Sequence, residues 1–181
     1  MKKKISILGS TGSIGLSTID IISKKKDYFI PYIFSANKNY RLICNQIKKF
    51  KPKFFIINDK ITYKKIRKKF KKNKTIILNK FEKIRFQHKS DITVSSIPGI
   101  AGLFPTILMT KLSNKILIAN KEAIICGWEL INKVSKKNKT KIVPIDSEHY
   151  SISELLKNHK LNEINKIYIT ASGGPFFENK L

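Results

Sequence analysis

Hydrophobic residues recur along the chain in short runs that alternate with segments of helical spacing. Runs of strand length predict strands over residues 5–8, 29–34, 54–57, 75–78, 92–96, 115–119, 141–145 and 166–170. Between these runs, apolar residues spaced by three or four predict helices over 14–24, 40–50, 61–70, 120–136 and around Leu103, Ile107 and Leu108. Such alternation is typical of an α/β protein with a mostly parallel sheet.

The first predicted strand ends in the sequence Gly-Ser-Thr-Gly-Ser-Ile-Gly, which covers residues 9–15. Glycine at every third position permits a tight turn, lets a phosphate approach the backbone and lets the next helix pack on the strand. Free N–H groups and the positive end of the helix dipole suit a pyrophosphate there. An ordinary glycine-rich turn is the alternative. The helix is predicted to bury a stripe of Ile14, Ile19 and Ile22.

The chain has 181 residues and a net charge of +25, which suggests an anionic partner such as nucleic acid. Lysine predominates over arginine and is spread over every predicted helix, a pattern that favours a solvated surface. No apolar run reaches the roughly 18 residues of a membrane span. Cys44 and Cys126 lie far apart in sequence, as expected for two reduced, partly buried thiols of a cytoplasmic protein.

A polar loop, Asn37-Lys38-Asn39, follows the second predicted strand. In a dinucleotide-binding fold, an acidic residue near this point binds the ribose 2′-hydroxyl of NAD. No carboxylate is present in the loop, and a lysine between two asparagines suits a 2′-phosphate. The loop therefore favours NADP, although an ordinary polar loop remains the alternative.

A second polar group, Asn120-Lys121-Glu122, follows the sixth predicted strand, where strand meets helix. Ligands of open α/β sheets bind outside the carboxyl ends of the strands, so these side chains belong at the functional rim. The loop over residues 97–102 is expected to border the cofactor for the same reason. The alternative makes Asn120 a simple N-cap and Glu122 a partner of the helix dipole.

Two carboxylates, Asp146 and Glu148, follow the seventh predicted strand. On an extended segment they project to the same face and suit Mg²⁺ or Mn²⁺. The alternative is a helix N-terminus that begins with Ser147 as its cap. The last predicted strand leads to Ser172-Gly173-Gly174, which can offer a hydroxyl and free N–H groups to a phosphate.

Four segments in this order resemble the 1-deoxy-D-xylulose 5-phosphate reductoisomerase family: LGSTGSIG (8–15), ANKE (119–122), PIDSEH (144–149) and SGGPF (172–176). The resemblance spans the whole chain. It implies an NADPH-dependent oxidoreductase that also needs Mg²⁺ or Mn²⁺ and serves non-mevalonate isoprenoid biosynthesis. Such an enzyme isomerises and reduces 1-deoxy-D-xylulose 5-phosphate to 2-C-methyl-D-erythritol 4-phosphate.

The resemblance also implies roles for single residues. The residues implied at the cofactor are Thr11, Gly12, Ser13, Ile14, Asn37, Lys38, Asn39, Asn120 and Glu122. Those implied at the substrate are Lys121, Ser147, Glu148 and Ser172, of which Lys121 and Glu148 are catalytic. Asp146 and Glu148 are implied as metal ligands. Asn37 stands where the family usually has glycine, so the loop around the 2′-phosphate is expected to differ.

We expect a Rossmann-like, doubly wound sheet over residues 1–143 that binds NADPH, and the start of a catalytic α+β domain over 144–181. The expected partner is a sugar phosphate rather than nucleic acid or a membrane, and the full-length form is expected to be a homodimer. The family carries a third metal carboxylate further downstream, so we expect this chain to be an incomplete form without turnover. Another NADP-dependent dehydrogenase of this fold, of semialdehyde type, is the nearest alternative, and a basic nucleic-acid-binding module is a more distant one.

Overall fold

Strands and helices alternate along the chain, as the hydrophobic pattern predicts. The computed structural model describes residues 1–84 and 89–168. Its strands are β1 (Lys3–Leu8), β2 (Phe29–Ala36), β3 (Phe54–Ile57), β4 (Ile76–Leu78), β5 (Ser90–Ser95), β6 (Ser113–Ile118) and β7 (Lys141–Pro144). Its α-helices are α1 (Ser13–Lys24), α2 (Tyr40–Phe50), α3 (Lys60–Lys69), α4 (Leu103–Lys111), α5 (Lys121–Asn138) and α6 (Ser147–Leu156). Among these described helices, none is both long enough and apolar enough to cross a membrane.

The strands form a single seven-stranded sheet in the order β4-β3-β2-β1-β5-β6-β7 within the described residues. β1 pairs in parallel with β2 on one side and with β5 on the other. The pairs β2–β3, β3–β4 and β5–β6 are also parallel. From β1 the chain adds β2, β3 and β4 towards one edge of the sheet. It then returns to the centre with β5 and adds β6 and β7 towards the other edge. The predicted doubly wound, Rossmann-like sheet is confirmed.

The central strands bury both of their faces, so alternate side chains enter two separate cores. Phe55 and Ile57 of β3 belong to a cluster that includes residues of α1, α2 and α3. Phe54 and Ile56 of the same strand belong to a second cluster that includes residues of α4 and α5. Because both faces are covered, the strands are recognised as continuous apolar runs rather than as alternating patterns.

Two details predicted for the first half of the chain are wrong. β2 continues to Ala36, beyond the predicted end, because its last two residues pair with Ile56 and Ile57 of β3. Ile14, expected on the buried stripe of α1, is 41% exposed. The other two members of the stripe are confirmed, because Ile22 belongs to the core and Ile19 is partly buried against it.

The chain divides into two compact units, Met1–Val143 and Pro144–Leu181. The part of the second unit that the structure describes contains α6 and one 3-10 turn, Leu161–Glu163. The strand predicted over 166–170 is wrong for its described part, since residues 166–168 are not in a strand. A strand needs a backbone hydrogen-bonding partner, and no described strand pairs with this segment. The rest of that prediction, and the whole turn that contains Ser172, lies outside the described residues.

Phe55 offers a test of the core assignment. Its side chain is fully buried, and its ring meets that of Phe34 edge-on with 6.2 Å between the ring centroids. We expect Phe55→Ala to lower the free energy of unfolding by about 3–5 kcal/mol, because it removes buried contacts and leaves a cavity. Denaturant titration measures the loss. Ile76→Ala, at a half-exposed position of β4, should cost less than about 1 kcal/mol. Equal losses in the two variants would contradict the assignment.

Candidate functional site

A cleft of about 410 Å³ lies at the carboxyl ends of the central strands in the first unit. Residues that directly follow β1, β2, β3 and β5 line it, among them Gly9, Thr11, Gly12, Asn37, Asn58, Pro98 and Ala101. β1 and β5 are neighbours in the sheet, and the strands that follow each of them in sequence are added towards opposite edges. Ligands of open α/β sheets bind at such a switch point. The cleft therefore has the position expected for a dinucleotide, and the loop after β5, predicted to border the cofactor, lines this cleft.

Two glycines of the turn after β1 are required by packing within the protein. Gly9 has a φ of +81°, and a Cβ there would lie 2.8 Å from the carbonyl oxygen of Ser96. A Cβ on Gly15 would overlap the carbonyl oxygen of Gly9. Because neither position has room for a side chain, α1 packs directly on the turn.

Gly12 is not required for that reason. Its φ is −83°, which any residue adopts, and a Cβ there would meet only the carbonyl oxygen of Gly9, at an ordinary 3.5 Å. Gly12 is the N-cap of α1, which has no side-chain cap and no acidic residue in its first turn. The first N–H groups of a helix lack partners within the helix and attract anions. Packing and backbone conformation therefore do not require glycine at this position, and the open N–H groups of the first turn suit an anionic ligand.

The loop after β2 contains the residues expected at the 2′-phosphate. Asn37 lines the cleft and Lys38 is exposed. Asn39 is the N-cap of α2, and its side-chain oxygen accepts a hydrogen bond from the Leu42 N–H at 3.1 Å. The loop therefore presents one basic side chain, that of Lys38.

A carboxylate that sequence reasoning missed lies close enough to influence this loop. Asp59 is the N-cap of α3, and its side chain accepts a hydrogen bond from the Thr62 N–H at 2.8 Å. Hydrogen bonds from Thr62, and to a lesser extent the charge of Lys38, hold the pKa of Asp59 below its usual value. The Lys38 ammonium is therefore close enough to favour the charged form of Asp59.

Asn120 has a structural role at the rim of the cleft. It is the N-cap of α5, and its side-chain oxygen accepts a hydrogen bond from the Ala123 N–H at 3.0 Å. Its amide group donates to the carbonyl oxygen of Gly99 at 2.8 Å and also to that of Ile97. The N-cap alternative is confirmed, and the side chain additionally fixes the loop after β5. The next two residues are exposed in the first turn of α5; they are Lys121 and Glu122.

The predicted extended arrangement of Asp146 and Glu148 in the second unit is wrong. A helix, α6, begins at Ser147, and Glu148 is its second residue. The N-cap is Asp146 rather than Ser147, because the Asp146 carboxylate accepts the His149 N–H at 3.1 Å. A side chain that caps a helix in this way ends the extended backbone at its own position.

The two oxygens of the Asp146 carboxylate have different surroundings. Oδ1 accepts the backbone hydrogen bond from His149 and lies 2.7 Å from the Nδ1 atom of its ring. Oδ2 is buried and has no hydrogen-bond partner among the described residues. A buried acceptor without a partner is unfavourable, and a cation would satisfy it. Asp146 therefore fits a metal ligand.

The remaining ligands of such a cation are not all present in this part of the chain. Within residues 1–84 and 89–168, no three His, Cys, Asp or Glu side chains lie close enough together to hold a metal ion. Glu148, half-buried in the first turn of α6, is the second predicted ligand. Mg²⁺ takes an octahedral set of oxygens, so a complete site needs further donors besides these two carboxylates.

Sequence reasoning missed two buried polar residues that support the turn after β1. Ser35 accepts hydrogen bonds there: its Oγ from the Gly9 N–H at 3.0 Å and its carbonyl oxygen from the Ser10 N–H at 2.7 Å. Gln46 of α2 bonds to both the hydroxyl and the carbonyl oxygen of Ser10. Gln46 could have been identified from the sequence, because it is a polar residue on the apolar face of a predicted helix.

Comparison with known proteins gives a consistent picture. The family model of 1-deoxy-D-xylulose 5-phosphate reductoisomerase matches residues 5–127, and the model of the C-terminal domain of that enzyme matches residues 142–181. A curated relative of that name from Pelagibacter ubique is 46% identical over 178 residues, which are 96% of this chain and 46% of the relative. The chain therefore spans about half the length of the curated relatives it matches.

Solved structures of similar proteins point to the same family. The crystal structure of DOX-P reductoisomerase in complex with magnesium has a TM-score of 0.86 and 29% identity, and the match covers 99% of this chain and 48% of that one. A structure of DOX-P reductoisomerase with NADPH, fosmidomycin and magnesium has a TM-score of 0.75 and 31% identity, over 81% of this chain and 37% of that one. Both share the fold described above.

Gly15 is required by packing and Gly12 is not, and the stability of alanine variants at the two positions tests this difference. We expect Gly15→Ala to lower the free energy of unfolding by about 2–4 kcal/mol, because the new methyl group overlaps backbone. Gly12→Ala should cost less than about 1 kcal/mol, since the position is open and only the helix cap changes. Denaturant titration of both variants measures the difference. A loss for Gly12→Ala as large as that for Gly15→Ala would show that packing explains both glycines.

Proposed function

Because the chain belongs to the 1-deoxy-D-xylulose 5-phosphate reductoisomerase family, we propose that its first unit binds NADPH and its second begins the catalytic domain. The reaction is the isomerisation and reduction of 1-deoxy-D-xylulose 5-phosphate to 2-C-methyl-D-erythritol 4-phosphate. The observation that carries the proposal is the cleft at the switch point of the sheet, lined by the glycine turn. The NADPH and magnesium in a similar structure support the choice of cofactors.

The pyrophosphate of NADPH is bound by the turn after β1 and the start of α1. Thr11 and Gly12 line the cleft, and Ser13 and Ile14 are exposed in the first turn of the helix. The N–H groups of this first turn have no side-chain cap to compete with a phosphate. The absence of a Cβ on Gly12 lets the phosphate reach them.

The adenosine 2′-phosphate is bound by Lys38 together with Asn37 and Asn39. Lys38 supplies the positive charge, and Asn37 lies in the wall of the cleft. Asn39 contributes mainly through the start of α2, because its side-chain oxygen caps that helix. Preference for NADPH over NADH therefore depends on Lys38, whose ammonium also favours the charged form of Asp59.

The nicotinamide end is bordered by the loop after β5 and by the start of α5. Asn120 acts on the cofactor by holding the carbonyl groups of Ile97 and Gly99 in place. Glu122 is exposed in the first turn of α5 and is proposed to contact the cofactor itself. A fixed loop at this position orients the nicotinamide for transfer of its hydride.

Substrate and metal are assigned to residues at the start of α5 and of α6. Asp146 and Glu148 bind the cation, and Lys121, Ser147 and Glu148 bind the substrate. When bound, NADPH supplies the hydride and the cation polarises the substrate carbonyl. Lys121 donates a hydrogen bond to a substrate oxygen on which negative charge develops. Ser172, proposed at the substrate phosphate, lies outside the described residues.

The complete protein is proposed to be a cytoplasmic homodimer. The resemblance to the family supports the homodimer. Both cysteines are free thiols, Cys44 buried and Cys126 exposed, and free thiols are the usual state in the cytoplasm. The expectation that both are partly buried is wrong for Cys126, which lies on the exposed side of α5.

NADPH binding tests the proposed function directly. We expect the wild-type chain to bind NADPH more tightly than NADH in isothermal titration calorimetry. Lys38→Ala should weaken NADPH binding by about 10-fold to 100-fold, because it removes a charge-assisted hydrogen bond, and should leave NADH binding unchanged. Lys111→Ala, which removes the same charge from the end of α4, serves as the control. Equal affinities of the wild type for NADPH and NADH would refute the assignment of Lys38.

The proposed cation site is tested with Mn²⁺ alone. We expect Asp146→Asn to weaken Mn²⁺ binding by about fivefold or more, because it removes a ligand charge while asparagine still caps α6. Electron paramagnetic resonance of free Mn²⁺ measures the affinity, and circular dichroism checks the helix content. Glu154→Gln removes an exposed carboxylate from the same helix and should leave the affinity unchanged. A loss of the same size in both variants would count against a site at Asp146.

A further inference from the structure

Gln46 is a polar residue in an apolar place. It lies on the buried face of α2 next to Ile43 and Ile47 and is only 3% exposed. Burying an amide is unfavourable unless its donor and acceptor groups are hydrogen-bonded. The partners of Gln46 therefore indicate why a polar residue occupies this position.

Both hydrogen bonds of Gln46 go to one residue, Ser10. The Gln46 side-chain amide donates to the carbonyl oxygen of Ser10 at 2.8 Å. The hydroxyl of Ser10, which is fully buried, donates in return to the side-chain oxygen of Gln46 at 2.6 Å. Ser10 directly precedes Thr11 and Gly12, which line the cleft. The pair thus fixes the backbone of the turn through two buried hydrogen bonds.

The same pair connects two parts of the cleft. α2, which carries Gln46, begins directly after the loop that contains Lys38. The Ser10 N–H also donates to the carbonyl oxygen of Ser35, near the end of β2, at 2.7 Å. The turn after β1 is therefore held both by the strand before that loop and by the helix after it. A ligand with phosphates in both places binds better if their separation is set in advance.

We propose that Gln46 is a positioning residue for the cofactor. It contacts Ser10 rather than the ligand, and it holds the turn after β1 at the distance from Lys38 that the pyrophosphate and the 2′-phosphate of NADPH require. The inference rests on the proposed function, namely that the cleft binds NADPH. The alternative is that Gln46 only satisfies hydrogen bonds in the core and affects stability alone.

Ligands of different length separate these two roles. NADPH engages both the turn and the Lys38 loop, whereas 2′-AMP, which carries the adenosine and its 2′-phosphate, engages only the loop. We expect Gln46→Leu to weaken NADPH binding about tenfold or more and to change 2′-AMP binding by less than about twofold. Calorimetry with the full 181-residue chain measures both affinities, with the folded fraction of each variant determined separately.

Two further variants keep the test valid if Gln46→Leu is poorly folded. Ser10→Ala removes only one of the two hydrogen bonds and should give a smaller change of the same kind. Ser6→Ala is the matched control, because it removes a buried hydrogen bond of 2.6 Å to Ser90 but does not line the cleft. Amide exchange of the ligand-free protein at residues 9–12 should become faster in Gln46→Leu and Ser10→Ala and stay unchanged in Ser6→Ala.

The outcomes are distinct. Selective loss of NADPH binding together with faster exchange of the turn supports the inference. Unchanged NADPH affinity in Gln46→Leu, while the wild type binds NADPH, overturns the inference and leaves the proposed function intact. Equal losses for NADPH and 2′-AMP would also overturn it, since they would indicate general damage to the fold. Absence of NADPH binding by the wild type would refute the proposed function, and the inference with it.

Discussion

The contact between α1 and the turn after β1 leaves no room for a side chain, and the cleft depends on it. Gly15 packs against the carbonyl group of Gly9, so the helix begins directly above the end of the strand. The neighbouring strand is fixed in the same place, because the Ser96 N–H donates to the carbonyl oxygen of Leu8 at 3.0 Å. These contacts involve backbone, which cannot rearrange as a side chain can. Backbone contacts of this kind fix the turn that lines the cleft, and a fixed turn lowers the free energy needed to organise a site on binding.

Helix caps determine which groups remain available to a ligand. The N-cap residues of α2, α3 and α5 are Asn39, Asp59 and Asn120, whose side chains accept hydrogen bonds from their own helices. The N-cap of α1 is Gly12, which has no side chain to accept such a bond. α4, which follows β5, likewise has no side-chain cap. Uncapped N–H groups at a helix start attract anions, which supports the proposal that the glycine turn binds the pyrophosphate.

Much of the fold follows from local patterns that a single sequence displays. The structure confirms the predicted bounds of α2 and β3, because apolar spacing and strand length are unambiguous there. The role of Gln46 could not be derived, because it depends on Ser10, a residue 36 positions away. The prediction for Asp146 is wrong for a different reason. A carboxylate before a serine suits either an extended segment or a helix cap, and the choice depends on whether the residues that follow form a helix. Contacts between distant residues, rather than local preference, therefore limit the prediction of the site.

Asp146 shows how a cap and a ligand can be the same side chain. One carboxylate oxygen is fixed by the N–H and the ring of His149, so the plane of the carboxylate is set by the helix. The other oxygen is buried without a partner among the described residues, at a defined position. A ligand oriented by hydrogen bonds to its second oxygen binds a metal with less loss of conformational freedom than a free side chain. The start of α6 therefore does more than place Asp146 in the chain: it also orients the oxygen that would bind the cation of the proposed site.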